Sequence, residues 1–165
     1  MSVLLLIDDL PIRLSADGRW LHGDEALHPK VAILFAKCLI PKENGEYELH
    51  VGQQKSPVLV SDVGFFVRSI RVVASANGEI EEVELKISDD TTQLLEPGSL
   101  MMSEENALYC RIQRHGFDVP CKFTAQQYHE LALQAEFDGE FALLNVSREK
   151  YRLNNVYDSV PRKLQ

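Results

Sequence analysis

One order of elements is spelled twice along this chain, and that repetition constrains the fold more than any single motif. The first third reads as strand, tight turn at Asp17-Gly18, strand, apolar helix over 29–40, turn at Asn44-Gly45, then a strand carrying Tyr47 and Leu49. The last third reads as strand from Leu108, turn near His115-Gly116, strand to Phe123, helix over 124–136, turn at Asp138-Gly139, then a strand carrying Phe141 and Leu143. Residues 44–49 (Asn-Gly-Glu-Tyr-Glu-Leu) and 138–143 (Asp-Gly-Glu-Phe-Ala-Leu) even match in kind. The expectation is an α+β fold of two similar halves, 1–88 and 89–153, each an antiparallel sheet with one principal helix. Residues 88–106, polar and turn-rich, read as the linker between halves, and 154–165 as a loosely held tail.

Charge limits the partners. The 165 residues carry a formal net charge of −8, and nucleic-acid phosphates are bound by clustered Lys and Arg, so a nucleic-acid polymer is not the expected partner. A chain of this length buries about 70% of its unfolded surface and needs no disulfide or metal to be stable. Residues 3–7 are apolar but are followed at once by Asp8 and Asp9, and no basic residue precedes them. They read as a buried strand rather than a signal peptide or membrane span, so no membrane partner is expected. The cysteines Cys38, Cys110 and Cys121 are odd in number and lack CxxC spacing, which fits free thiols and the cytoplasm.

Turn chemistry predicts strand register. A two-residue turn at Asp17-Gly18 pairs Leu14 with Leu21 on an apolar face, and Ser15 with Trp20 and Arg13 with His22 on a polar one. A turn at Asn77-Gly78 pairs Val72 with Val83 and Ile70 with Leu85, leaving Arg71 opposite Glu84 and Ser69 opposite Lys86 on the solvated side. A two-residue turn at His115-Gly116 sets Cys110 opposite Cys121 and Ile112 opposite Val119; the cysteines read as small core residues, with a redox switch as the sharper alternative. The first helix, apolar except for Lys30 and Lys37, is expected to be buried on most of its circumference, with Pro29 in its first turn. The second opens on a capping box, Thr124 with Gln127, and buries the stripe Tyr128, Leu131, Ala132 and Ala135.

Few residues carry chemistry. The histidines form no HxH or HExxH pair, no Cys–His set has zinc spacing, and GxSxG, Walker A and GxGxxG motifs are missing, so neither metal nor cofactor is expected. Asp89 and Asp90 read as a solvated acidic loop. The polar face of the first hairpin is the best site candidate: Trp20 for stacking, His22 and Arg13 for polar contacts. Arg111, Arg114 and Lys122 flank the equivalent hairpin of the second half.

These residues resemble the bacterial domain-of-unknown-function family 1285. Asp17–Gly23 (DGRWLHG) is similar to the family's DGxWxHxG signature, and the likeness continues through Leu34-Phe35-Ala36, the NGEYEL turn, Lys55, and Asp62 with Phe65 or Phe66. In the second half, Tyr109, Arg111, Tyr128, Leu131-Ala132 and Ser147 fall where similar residues are expected. Where the family has Thr-Pro-Val-Glu-Lys this chain reads Val-Gly-Gln-Gln-Lys at 51–55, keeping only the lysine. The resemblance implies an α+β protein with a duplicated motif, a second half like pleckstrin-homology folds, a small-ligand site between the halves for a nucleotide-type molecule, and a role in bacterial signalling.

Together these readings give a non-enzymatic ligand-binding protein with its site at the junction of the halves, built from Arg13, Trp20, His22, Lys55 and Arg111. That set suits an aromatic anion and lacks a poised acid–base pair. The alternatives are a protein-interaction adaptor and a hydrolase using His22 with Ser15 or Ser147.

Overall fold

Mixed α+β structure follows from the frequent turns and short apolar runs, and the computed structural model, which describes residues 10–164, shows it. The strand expected over 3–7 lies outside the described residues. The first sheet is built from β1 (Ile12–Leu14), β2 (Trp20–His22), β3 (Glu25–Ala26), β4 (Leu39–Pro41), β5 (Tyr47–Val51) and β6 (Gln54–Val60). Their order is β3-β2-β1-β6-β5-β4, with α1 (Pro29–Lys37) between β3 and β4 in the chain. Next come β7 (Phe65–Ala74), β8 (Ile80–Ile87), β9 (Thr92–Leu94), β10 (Met101–Met102), β11 (Leu108–Arg114) and β12 (Phe117–Phe123), in the order β10-β11-β12-β7-β8-β9. After α2 (Ala125–Ala132), a third sheet has β13 (Glu136–Asp138), β14 (Phe141–Val146) and β15 (Glu149–Arg152), and β16 (Arg162–Lys163) adds to β12.

The sheets do not divide at residue 88. β8 pairs with β9 across that point, and β7 pairs in parallel with β12, so the second sheet draws on both expected halves. Residues 88–106 are no linker: they contribute β9, a 3-10 turn at Pro97–Ser99 and β10, and bury Leu95, Leu100 and Met101. The order hairpin, helix, strands does recur, but β4–β6 join their hairpin in one sheet whereas β13–β15 stand apart.

One hydrophobic core spans the first two sheets, from Leu14, Leu39 and Leu49 to Phe65, Leu85 and Ile112. Gly64 sits where they meet: a Cβ there would lie 2.5 Å from the Tyr47 ring and 2.9 Å from Leu39. Only glycine allows that approach.

Register holds in two hairpins and fails in one. Val72 pairs with Val83, Ile70 with Leu85, Arg71 with Glu84, and Cys110 with Cys121, as the turns predict. In the first hairpin Leu14 pairs with Trp20, Arg13 with Leu21 and Ile12 with His22. The cause is loop length. Ser15 N–H donates to the Arg19 carbonyl and Gly18 N–H to the Ser15 carbonyl, closing a three-residue loop with Gly18 at φ 87°. That is a type I turn followed by a left-handed residue, one residue longer than expected. A slip of one turns every side chain over, so Trp20 joins Leu14 in the core at 5% exposure.

Both helices also differ in detail. α1 stops at Lys37 because Leu39–Pro41 is needed as a strand, and it buries only Phe35 and Ala36 while leaving Ile33 and Leu34 each 44% exposed. The His28 ring caps it, Nδ1 accepting from Lys30 N–H at 3.1 Å. In α2 the capping box is not made. Thr124 gives no side-chain cap, and buried Gln127 instead accepts from Ile70 N–H at 3.0 Å, tying the helix to β7.

Candidate functional site

The groove holding Trp20 lies between α1 and the β7–β8 ribbon. Pro29, Ala32, Ile33 and Ala36, at helical spacing, make one wall. Arg68, Lys86, Ile87, Ser88 and Asp90 make the other, around about 370 Å³. Local structure places each cationic group. Arg68 sits where β7 slips register between Val67 and Ser69. Its Nη2 donates to the Gly18 carbonyl at 2.7 Å and its guanidinium lies 5.5 Å from the Phe66 ring centroid. Ser88 holds the far wall to β7, its N–H donating to the Phe66 carbonyl and its Oγ accepting from Phe66 N–H. Asp90, at positive φ, sets its carboxylate between Lys86 at 3.3 Å and Lys37 at 3.7 Å. The result is an apolar wall facing a rim of charge.

A second polar cluster joins the two sheets. Lys122 pairs with Asp62 at 2.9 Å and donates to the Ala16 carbonyl at 3.0 Å, while the Tyr109 hydroxyl donates to Asp62 at 2.7 Å. Tyr157 stacks on Tyr109 with ring centroids 3.9 Å apart. Burial, reinforced by the Asp62 carboxylate, pushes the hydroxyls of Tyr109 and Tyr157 well above the usual phenol range. Burial pushes Tyr47, packed nearby, up to about 12. These phenols stay neutral and do not serve as bases near neutral pH.

Asp89 was expected to be solvated, and it is not. It is 7% exposed, with Arg114 Nε donating at 2.7 Å and the Thr91 hydroxyl at 2.6 Å. Burial pushes its pKa up, but the hydrogen bonds from Arg114 and Thr91 outweigh burial and hold it below the ordinary carboxylate value. Asp90 alone fits the solvated reading. Among the described residues no cluster of His, Cys, Asp and Glu is arranged to hold a metal ion.

The five sequence-predicted site residues do not converge. Trp20 lines the groove but packs edge-to-face on Phe35, with centroids 5.8 Å apart, and offers little flat surface for stacking. His22 shares Trp20's face, whereas Arg13 lies on the other face, donating to Asp24 at 3.0 Å and to the Gly23 carbonyl. Lys55 is exposed opposite His50 on β6. Arg111 is held by Asp118 and by the carbonyls of Asp158 and Val160. Sequence reasoning missed Arg68, and it reads Lys86 and Asp89 only as solvated surface. For Arg68 and Asp89 no local signal marks them, because each is placed by a partner far along the chain.

No family model matches the sequence, and no curated protein matches it. Among solved structures, a DUF1285 family protein from Silicibacter pomeroyi DSS-3 is similar with a TM-score of 0.68 at 16% identity, over 90% of this chain and 81% of that one. A DUF1285 family protein from Shewanella baltica OS155 is similar with a TM-score of 0.57 at 20% identity, over 74% of this chain and 90% of that one. The chain shares the DUF1285 fold. The resemblance read from DGRWLHG therefore stands at the level of fold, which does not by itself carry a function. Among the described residues no helix is long and apolar enough to cross a membrane.

Proposed function

We propose that this is a non-enzymatic binding protein for a small, partly apolar anion, a nucleotide-type molecule being the first class to test, with its site in the groove between α1 and β8. The observation that carries this reading is one groove lined by Ile33, Ala36 and Trp20 and rimmed by Arg68 and Lys86. A cavity of this size with a few convergent polar groups is what small ligands fill. The rim carboxylate, Asp90, is engaged by Lys37 and Lys86 rather than poised as a base. We place the protein in the cytoplasm on its three free thiols, and carry the signalling role with the resemblance, groove occupancy being the signal. We also read the recurrent element order as an internal duplication whose copies kept their order and changed their strand partners. The antiparallel run β10-β11-β12, with α2 touching β12, supports a pleckstrin-homology-like second copy.

A thermal-shift screen with mononucleotides, cyclic nucleotides and dinucleotide cofactors tests the binding reading. A ligand at a hundredfold above its Kd adds about 2.7 kcal/mol of stability. Ile33→Glu, on a side chain already half exposed, should abolish that shift without unfolding the chain. A shift that survives both Ile33→Glu and Lys86→Ala, or no shift at all, overturns the site. The adaptor reading then takes its place, favoured by the exposed Ile33 and Leu34 side by side on α1.

A further inference from the structure

The tail, expected to hang loosely, instead crosses the face of β10, β11 and β12 as an extended strap. Asn155 accepts from Met102 N–H at 2.7 Å and donates its side-chain amide to the Leu100 carbonyl at 3.0 Å. Tyr157 stacks on Tyr109. Two residues along β11, Arg111 donates Nη1 to the Asp158 carbonyl at 2.8 Å and Nη2 to the Val160 carbonyl at 2.7 Å. Arg162 and Lys163 then pair with Asp118 and Phe117, and Leu164 N–H donates to the Gly116 carbonyl at 2.7 Å.

What holds the strap is unusual for a core element. From Val156 to Leu164 no residue is buried, and Val156 and Val160 are 91% and 59% exposed. The contacts are mostly polar: main-chain hydrogen bonds, the Asn155 side-chain amide, one forked guanidinium, Asp158 N–H on the Met101 sulfur at 3.4 Å and an exposed Lys163–Glu43 ion pair at 3.1 Å, with one aromatic ring. This is how extended peptides are recognised on sheets: backbone for affinity, one pocketed side chain for identity. The Tyr157 hydroxyl is buried and makes no hydrogen bond among the described residues, so its seat is not fully matched to it. An element that buries so little apolar area belongs to the low-stability end of a structure.

We infer that the face of Tyr109 and Arg111 is a peptide-docking groove, filled in the resting protein by the chain's own residues 155–164 and open to an extended, tyrosine-bearing segment of a partner once the strap lifts. Tyr109 is the aromatic floor, and Arg111 reads two alternate carbonyls of any extended backbone, a geometry lysine does not reproduce. This surface is separate from the α1 groove, and the inference does not rest on the ligand reading.

The full chain tests it by competition in trans. A fluorescent peptide of residues 155–164 is titrated into the wild-type chain and into the full chain carrying Tyr157→Ala, whose own strap is weakened. The variant is expected to bind the peptide at least about tenfold tighter than wild type, the scale of losing one aromatic anchor. A peptide with the same Tyr157→Ala change is expected not to bind, and Arg111→Lys in the variant chain is expected to reverse the gain. Equal binding by both chains, or equal binding of both peptides, overturns the inference. Hydrogen exchange on the wild-type chain is the second arm. The amides of Met102 and Leu164 are expected to exchange ahead of those in β11 and β12 that face each other. Exchange at a common rate, or a Tyr157→Ala chain that does not fold, shows the strap to be part of the core and overturns the inference as well.

Discussion

The hairpins β1–β2 and β7–β8 carry nearly the same turn, yet present their faces differently. The sequences are Ser15-Ala16-Asp17-Gly18-Arg19 and Ser75-Ala76-Asn77-Gly78-Glu79. In both, the serine N–H donates to the carbonyl four residues on and the glycine N–H donates back to the serine carbonyl, with glycine at φ 87° and 85°. The serine hydroxyls reach Asp17 and Asn77 in the same way. The difference lies beyond the loop. In β7–β8 the pairing runs from Ala74 with Ile80 to Val73 with Glu82, skipping Glu81. That bulge adds back the residue the longer loop removed, so Val72 still faces Val83. In β1–β2 no bulge follows, and Trp20 turns inward. A turn sets the loop length, but the bulge after it decides which face a side chain occupies.

The largest expected effect follows from Trp20. Trp20→Ala should destabilise the protein by about 3–5 kcal/mol in urea unfolding, the cost of emptying a core aromatic site. A loss within about 0.5 kcal/mol, as for surface sites, would put Trp20 on a solvent face and erase the contrast between the hairpins.

Asp89 sharpens the comparison at a third loop. Ile87 to Thr91 closes with the same hydrogen-bond pattern, with Asp90 at φ 65° where the hairpins have glycine, and it buries Asp89 against Arg114. Asp89→Ala should cost about 3 kcal/mol by taking the carboxylate from the largely buried Arg114 guanidinium, which keeps only its neutral partners Gln93, Thr91 and the Gln113 carbonyl. Because the folded pKa of Asp89 lies below its ordinary value of about 3.9, its contribution is fully present above that value and is lost as pH falls through the folded pKa. Unfolding followed from pH 6 down to pH 2 should therefore show an acid-dependent loss in wild type that is smaller in Asp89→Ala. Parallel pH profiles would break the account of this loop.

The two turn glycines should differ by less. Gly18→Ala and Gly78→Ala both force a left-handed residue, at about 1–2 kcal/mol. Gly18 pays more, because its new Cβ would meet Arg68 Nη2 at 2.9 Å while nothing among the described residues lies within 4 Å of one at Gly78. Equal melting-temperature losses would mean that Arg68 does not clamp the first hairpin.

The smallest effect is a gain. Ser103 to Ala107 repeats the same loop with Asn106 at φ 64°. Asn106→Gly should be neutral or raise stability by a few tenths, about 0.5 kcal/mol at most, since asparagine tolerates this region nearly as well as glycine. A clear loss in differential scanning calorimetry would show that the Asn106 side chain holds the loop.

How much of this was legible in the sequence depended on how local its cause is. His115-Gly116 is a two-residue turn with both φ positive, 51° and 80°, and it alone set Cys110 against Cys121. Alternation through Val83, Leu85 and Ile87 marked the inner face of β8 whatever the loop did. The choice between a two- and three-residue loop at Asp17-Gly18 leaves no such trace, so the two-residue expectation puts Trp20 on Arg13's face, whereas the pairing sets the two on opposite faces. Parallel pairing of β7 with β12, the reach of Lys122 to Asp62, and the strap held through carbonyls depend on contacts across tens of residues. None of these is written in a periodicity.

Trp20 is the only tryptophan in the chain, so its fluorescence reads the inward-facing hairpin directly. Steady-state emission and acrylamide quenching of the native protein should show a blue-shifted indole with slow quenching, both reverting on unfolding in urea. Native emission and quenching that match the unfolded chain would place the indole in water, restore the two-residue register, and contradict both the hairpin and the groove it floors.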